Sequence, residues 1–311
     1  LISGFTSFPS VEYSIHAAGI YFKRIERLFL QHKLNPENKN LFMQATTLKQ
    51  SFFRFFLFVG LAAAMVACKK DKDSNGPGPD PVPNSAKLQA YTNGEDYIRF
   101  TYNADGTVKK VTVKTDDSNY GDEMDYTVTY NAQKKIASLA TDWYKIEVEY
   151  QNNVLSRANM YEYNNQIGYT DYVFENGNLK KATIHYGEGG LFVPLMEYVM
   201  TYNGQGNLTE TLVKMAAGEP GQLLPAGLTT YEYDQKANPL YQYRELLALF
   251  WQSPSKNNIT VESEFDGDHQ LTDKFTYTYT YKSNGLPEKG TVKQGLPGQD
   301  PVTSQLTFTY Q

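Results

Sequence analysis

The chain has 311 residues, 34 acidic and 29 basic side chains, a net charge of −5 and a single cysteine beside 25 tyrosines. Apolar residues make up 41 %, enough for a substantial core in one or two domains. An acidic balance with no basic stripe argues against nucleic acid as a partner, and one cysteine excludes a disulfide scaffold and any cysteine-based metal cage.

The first 85 residues carry an address. Residue 1 is Leu1, and the first methionine is Met43. Lys49 and Arg54 form a short positive region, and residues 55–67 form an uncharged apolar run. That is the build of a secretory signal over 43–67, too short to span a hydrocarbon core of roughly 30 Å comfortably. A signal belongs at the N-terminus, so residues 1–42 read as an over-extended gene model whose true start is Met43. The run closes on Met65-Val66-Ala67-Cys68. A lone cysteine otherwise reads as a buried structural thiol; directly behind an apolar run it is expected to be lipidated.

Residues 68–85 hold Cys68 and a charged, then Pro- and Gly-rich stretch without apolar periodicity, which reads as a disordered tether. At about 3.1 Å per residue, Lys69–Ser85 could reach roughly 50 Å. Asp71, Asp73, Asn75 and Gly76 match the first half of an EF-hand loop, but the twelfth position is Val82 instead of glutamate, so no calcium site is expected. Beyond Cys68 the chain is more acidic, with a net charge of −9, and keeps 23 of the tyrosines.

From Ala86 to Gln311 one phrase recurs: an alternating segment ending in an aromatic residue, a polar turn, and an aliphatic residue that opens the next segment. Phe100-Thr101-Tyr102-Asn103 leading to Gly106 and Val108 is the first case. Val128–Ile136, Val148–Leu155, Val173–Leu179, Met200–Leu208, Tyr231–Leu240 and Tyr279–Leu286 follow. Asn, Asp and Gly tolerate the positive φ of tight hairpin turns. Between turns the residues alternate with period 2: Phe275, Tyr277, Tyr279 and Tyr281 point one way, Thr276, Thr278 and Thr280 the other. Ile259, Val261 and Phe265 likewise oppose Thr260, Glu262 and Glu264. The expectation is an all-β domain over 86–311. It is a long antiparallel meander of roughly 14–16 strands with one buried and one wet face, forming a soluble β-barrel or a strongly curved sheet.

A barrel of that size has a lumen that wall side chains alone do not readily fill. Leu246–Trp251, the strongly apolar run within this domain, is expected to be a short helix or buried loop inside or across the sheet. A transmembrane barrel is disfavoured, because the strands look short and the apolar face carries a tyrosine in nearly every layer, whose hydroxyls would lack partners in hydrocarbon.

Two resemblances follow from these residues. Met65–Cys68 resembles the lipobox of bacterial lipoproteins, which implies acylation of Cys68, and Lys69 behind it resembles outer-membrane sorting. The expected place is the outer membrane, lipid-anchored, on its periplasmic or cell-surface face. The aromatic–x–Tyr–Asn/Asp–x–x–Gly–x–Leu phrase resembles the YD repeat of Rhs-type bacterial surface proteins. The whole of 86–311, above all Tyr233–Leu240 and Ser255–Ile259, resembles a lipoprotein domain of unknown function with a porin-like fold. This implies a fold and an address, not an activity.

The chemistry is thin. His185 lies in a strand, and Asp268-His269 reads as a turn. Glu147, Glu149, Glu262 and Glu264 alternate outward and read as a solvated face. No catalytic residue, cofactor or metal is expected. The candidate ligand-binding residues are Trp143, Tyr161, Tyr163 and Trp251, whose flat faces and polar edges suit a glycan or a protein partner; the bland reading of each is a core or cross-strand aromatic. Ligand binding in the envelope is the leading function. A structural or assembly component of the envelope comes second, and a hydrolase third.

Overall fold

In the computed structural model, residues 86–114, 123–217, 221–295 and 300–311 are described; the segment 1–42, the signal, Cys68 and the tether all lie outside them. The alternating segments form sixteen strands: β1 (Leu88–Asn93), β2 (Asp96–Tyr102), β3 (Val108–Lys114), β4 (Met124–Tyr130), β5 (Ile136–Ala140), β6 (Tyr144–Gln151), β7 (Val154–Glu162) and β8 (Asn165–Glu175), then β9 (Asn178–Glu188), β10 (Leu191–Tyr202), β11 (Leu208–Ala216), β12 (Leu223–Ala237), β13 (Asn257–Asp266), β14 (Leu271–Tyr281), β15 (Pro287–Gln294) and β16 (Val302–Tyr310). Each pairs antiparallel with its neighbours in the chain, and β1 pairs with β16, so the sheet closes into a barrel with no free edge.

The turns explain the recurring phrase. At Asn103, the backbone N–H donates to the Thr107 carbonyl (2.8 Å) and the Gly106 N–H donates back to the Asn103 carbonyl (2.9 Å). The same pair of bonds recurs from Asn131, Asn203, Asp266 and Lys282. The fourth residue of each turn is left-handed: Gly106, Lys134, Gly206, His269 and Gly285, with φ between 59° and 89°. Asn131, Asn203 and Asp266 also fold their side-chain oxygens back onto two backbone N–H groups of the turn, which is why an Asn or Asp follows the last aromatic. Asn152-Asn153, Tyr163-Asn164 and Asn176-Gly177 are two-residue turns with both φ positive, the geometry that matches strand twist.

The alternation becomes an inside and an outside. Tyr91, Phe100, Val111, Leu139, Met160, Ile184, Tyr198, Tyr277 and Leu306 belong to one continuous buried cluster. The outer wall carries polar cross-strand pairs: Lys110–Asp125 (2.7 Å), Arg157–Asp171 (2.7 Å), Glu197 between Lys181 and Lys214 (3.4 and 2.8 Å), and Thr278–Thr291 (2.6 Å). Glu147 and Glu149 sit on this wet side, as expected. Glu262 and Glu264 do not: they are buried, at 2 % and 3 % exposure. The physical reason is a bulge. Glu232 pairs with Val261, but the next residue, Tyr233, pairs with Ile259, so Thr260 is left over. One extra residue reverses the alternation, so Ile259 and Glu262 both line the lumen.

The phrase Tyr231–Leu240 is not a hairpin turn. β12 runs on to Ala237, and the chain then enters the lumen at Pro239 as a 3₁₀ turn (Pro239–Tyr243) followed by the short helix α1 (Arg244–Ala248). Asn238 caps the turn, accepting from the Leu240 N–H at 2.9 Å. Leu240, Tyr243, Leu246, Leu247 and Leu249 are all buried in the barrel's core cluster, each leucine contributing about 1.5–3 kcal/mol. Tyr243 stacks on Phe100 of β2 at 4.4 Å, and Phe250 meets Tyr126 of β4 edge-on at 5.3 Å. The Trp251 indole N–H donates to Thr170 of β8 at 3.0 Å. The expected buried plug therefore exists and reaches across the lumen. Asn207, Asp234, Asn257 and Asn258 tie its neck to the wall.

Tyrosine hydroxyls lock the plug to the strands. The Leu208 N–H donates to Ser255 Oγ (2.8 Å), Ser255 donates to Tyr233 Oη (2.7 Å), and Tyr233 donates back to the Leu208 carbonyl. The same triangle forms at Leu88, whose N–H meets Tyr243 Oη (3.1 Å); Tyr243 bonds Tyr102, and Tyr102 donates to the Leu88 carbonyl. Tyr202 joins the Leu179 carbonyl to Ser253, and Tyr150 lies between the Ile136 carbonyl and Glu245. Replacing Tyr233 with Phe or Ser255 with Ala strands buried polar groups, and each should cost about 1–3 kcal/mol in denaturant unfolding. The double variant should cost less than the sum of the two, with a coupling above about 0.5 kcal/mol; strictly additive losses would show that the hydroxyls act separately.

Candidate functional site

The plug does not fill the lumen evenly. Between its last residues, Trp251–Ser255, and the wall of β10–β13 lies a cavity partly open to solvent, with about 70 Å³ free to the centre of a water-sized molecule. β10 contributes Met196, Tyr198 and Met200, which share a face by period 2. β11 contributes Leu208, Thr211, Val213 and Met215; β12 contributes Thr229, Tyr231 and Tyr233; β13 contributes Ile259 and Glu262. Unbranched thioethers beside rigid aromatics make a wall that can adjust its shape.

Trp251 is set by the end of α1. Its N–H donates to the Ala248 carbonyl (2.9 Å), the Gln252 N–H donates to the Leu247 carbonyl (3.0 Å), and Trp251 itself is left-handed with φ 60°. This reversal lays the indole parallel to the Tyr198 ring, 6.5 Å between centroids.

Most polar groups of the cavity are spent on the scaffold. Ser253 bonds Tyr202, Ser255 belongs to the Leu208 triangle, and Asn238 caps the 3₁₀ turn. Two acceptors remain. The Gln252 side-chain carbonyl is buried and has no hydrogen-bond partner. Glu262 receives one hydrogen bond, from Tyr277 Oη to Oε2 at 3.0 Å. Burial pushes its carboxyl up to about 8, outweighing the opposing effect of the Tyr277 bond. Glu262 acts electrostatically on Tyr91 of the opposite closing strand, whose buried hydroxyl also has no partner among the described residues. The arrangement is an apolar, aromatic chamber with an uncompensated carboxyl on its wall.

Of the four candidate residues, Trp251 alone lines this cavity. Trp143 and Tyr163 meet at the far end of the barrel, in the β5–β6 and β7–β8 turns. Their rings are 6.5 Å apart, and the Trp143 carbonyl accepts the Tyr163 N–H at 2.8 Å. Tyr163 is 69 % exposed. Tyr161 pairs with Lys145 across β6–β7, near Glu147. His185 stacks on Tyr169 at 4.4 Å in the β8–β9 pair, and burial lowers its pKa. His269 is the left-handed residue of the β13–β14 turn, next to Asp268. Neither histidine reaches the cavity lining. Glu262, Gln252 and the methionines were missed as site residues. Met196-x-Tyr198-x-Met200 was readable as one strand face, whereas Glu262 was hidden by the bulge.

The raised Glu262 pKa has a fixed sign. Between the ordinary carboxylate range and about pH 8, the folded chain holds a proton there that the unfolded chain has lost, so stability falls as pH rises through that window. Thermal unfolding from pH 5 to 8.5 should show this decline, and Glu262→Gln should flatten it. An unchanged slope in the variant would assign the decline to other groups.

No family model matches the chain, and no curated protein matches it in sequence. Solved structures do match in fold. A porin-like protein from Bacteroides uniformis superposes with a TM-score of 0.52 at 13 % identity, covering 74 % of this chain and 99 % of that one. A porin-like protein from Bacteroides vulgatus gives a TM-score of 0.49 at 12 % identity over 73 % and 99 % of the two chains. The first likeness shows a shared fold, in agreement with the porin-like fold that the resemblance of residues 86–311 implies.

Proposed function

We propose that this protein is a binding barrel of the bacterial envelope that holds a small apolar molecule in the cavity beside Trp251. The observation that carries the reading is the uneven filling of the lumen: the plug leaves a chamber against β10–β13 with an apolar lining and a few spare acceptors, the build of small-molecule sites. An apolar ligand is preferred here over a glycan, because sugars need many paired polar groups and most of those present are already engaged by the scaffold. Binding here involves no chemistry.

The proposed address is the outer membrane, through acylated Cys68 and the tether. The lipobox-like Met65–Cys68 and the porin-like fold support it. The outer wall supports a barrel held beside the bilayer rather than within it. Lys181–Glu197–Lys214 and Arg157–Asp171 occupy positions where a spanning barrel carries aliphatics, and burying such charges in lipid costs about 2–4 kcal/mol each at the midplane.

Two experiments follow. In a Trp143→Phe background, Trp251 emission should respond saturably to 2-phenylethanol. Val213→Phe, which fills the cavity, should abolish the response without unfolding the chain; a response that survives it would place binding elsewhere. Separately, Cys68→Ser should move the protein from the membrane to the soluble fraction and remove fatty-acid labelling. Retention in the membrane would refute the anchor.

A further inference from the structure

We infer that the molecule held beside Trp251 is an organic cation, an apolar or aromatic body bearing one protonated amine whose N–H groups are taken by Glu262 and Gln252. The inference rests on the luminal binding reading above and names its ligand class. It starts from the hydrogen-bond inventory. The hydroxyls of Ser253 and Ser255 and the Asn238 side chain are committed to the scaffold. The hydroxyls of Thr211, Thr229 and Tyr231 bond one another, and the acceptors that remain among the described residues are the unpartnered Gln252 carbonyl oxygen and a Glu262 carboxyl with a single bond. The Gln252 oxygen is an acceptor, and Glu262, kept protonated by burial, becomes a second one when it gives up its proton; an ammonium carries three donors on one atom and brings the charge that favours that ionisation.

The charge environment points the same way. Among the described residues no Lys or Arg lines the cavity. Tyr277 from β14 bonds Glu262, and Glu262 acts in turn on Tyr277, on Tyr91 from β1, and on Tyr231 and Tyr233 from β12, while Glu264 of its own strand acts on Tyr231. None can supply positive charge. A buried carboxyl without a cation is held neutral by its surroundings, and a ligand ammonium is the missing counter-charge. The walls add to this. Tyr198, Tyr231, Tyr233 and Trp251 line the same space, and aromatic walls favour a desolvated cation where a ring face meets it. An alcohol would satisfy at most one acceptor, and a carboxylate would face Glu262 with like charge.

The protonation step balances simply. The ammonium enters with its proton, Glu262 ionises to pair with it, and the Glu262 proton leaves to solvent. Binding of an amine near neutral pH should therefore release close to one proton, and binding of a neutral analogue none.

Titration calorimetry on the mature chain, with 2-phenylethylamine, 2-phenylethanol and 3-phenylpropanoate at pH 7 in two buffers of different ionisation enthalpy, tests this. The amine should bind at least about tenfold more tightly than the alcohol, with the carboxylate weakest and proton release seen for the amine only. Glu262→Gln should remove both the amine preference and the proton release, so that amine and alcohol bind with similar affinity. Should that variant fail to fold, Glu262→Asp, with a shorter reach, should keep proton release but weaken the amine. Equal affinity for amine and alcohol in the wild type, or an amine preference that survives in Glu262→Gln, would overturn the cation assignment and leave the luminal site standing. Failure of all three compounds to bind would overturn the luminal reading itself.

Discussion

The structure depends on a tyrosine hydroxyl held between a strand carbonyl and a plug side chain. Closing sixteen strands into a ring creates a lumen too wide for the wall to fill, so a plug is needed. The plug, in turn, covers backbone groups at the starts of strands, such as those of Leu88 and Leu208, which lose water and must find partners. Tyr102 and Tyr233 answer both demands at once. Their rings join the core, and their hydroxyls satisfy the carbonyl while bonding Tyr243 and, through Ser255, the adjoining N–H. The phenol is suited to this because its body is apolar and its single polar atom lies at the far tip. Tyr130 and Tyr310 make the same reach to the carbonyls of Val108 and Pro287, so the device also runs where no plug residue takes part.

The barrel shares its strand number with membrane pores and reverses their polarity. In a porin the aliphatic face meets lipid and the polar face lines a channel. Here Phe100, Leu139, Ile184 and Tyr277 face inward, while Lys, Glu, Arg and Thr pair across the outside. Architecture is set by strand pairing and closure; which side is wet is set independently, by the phase of the alternation. A single fold name therefore covers two opposite relations to solvent.

Much of this was legible from residues alone, for identifiable reasons. The hairpin phrase is local chemistry: a left-handed residue and an Asn or Asp that folds back on the turn leave their mark within six positions. The Leu246–Trp251 plug was legible because no strand of a one-sided sheet has use for six consecutive apolar residues. Two things escaped. Tyr231–Leu240 has the composition of a turn, yet the chain continues inward, because Asn238 caps a 3₁₀ turn instead of closing a hairpin, and Asn serves both ends. Glu262 and Glu264 sit on the polar phase of β13 by counting, yet the leftover Thr260 shifts that phase, and nothing at Thr260 itself announces a bulge. The site was half visible. Trp251 and the Met196–Tyr198–Met200 face belong to local patterns, but Gln252 acquires meaning only when β10–β13 curve around it.

Closure of the ring by β1 on β16 also shapes how the molecule must fold. Every other pairing joins strands adjacent in the chain and can form by local zippering. The seam alone joins segments more than two hundred residues apart, from Leu88 opposite Tyr310 to the Ser304–Asn93 bond. Until it forms, β1 and β16 are both open edges, each a template for pairing with another molecule, and it carries the largest loop-closure cost of any strand pairing in the ring. The plug shortens this exposure. Tyr243, which bonds the Leu88 N–H, can tether β1 from within before β16 arrives. The buried insert thus serves as an internal template on which the ring is drawn shut.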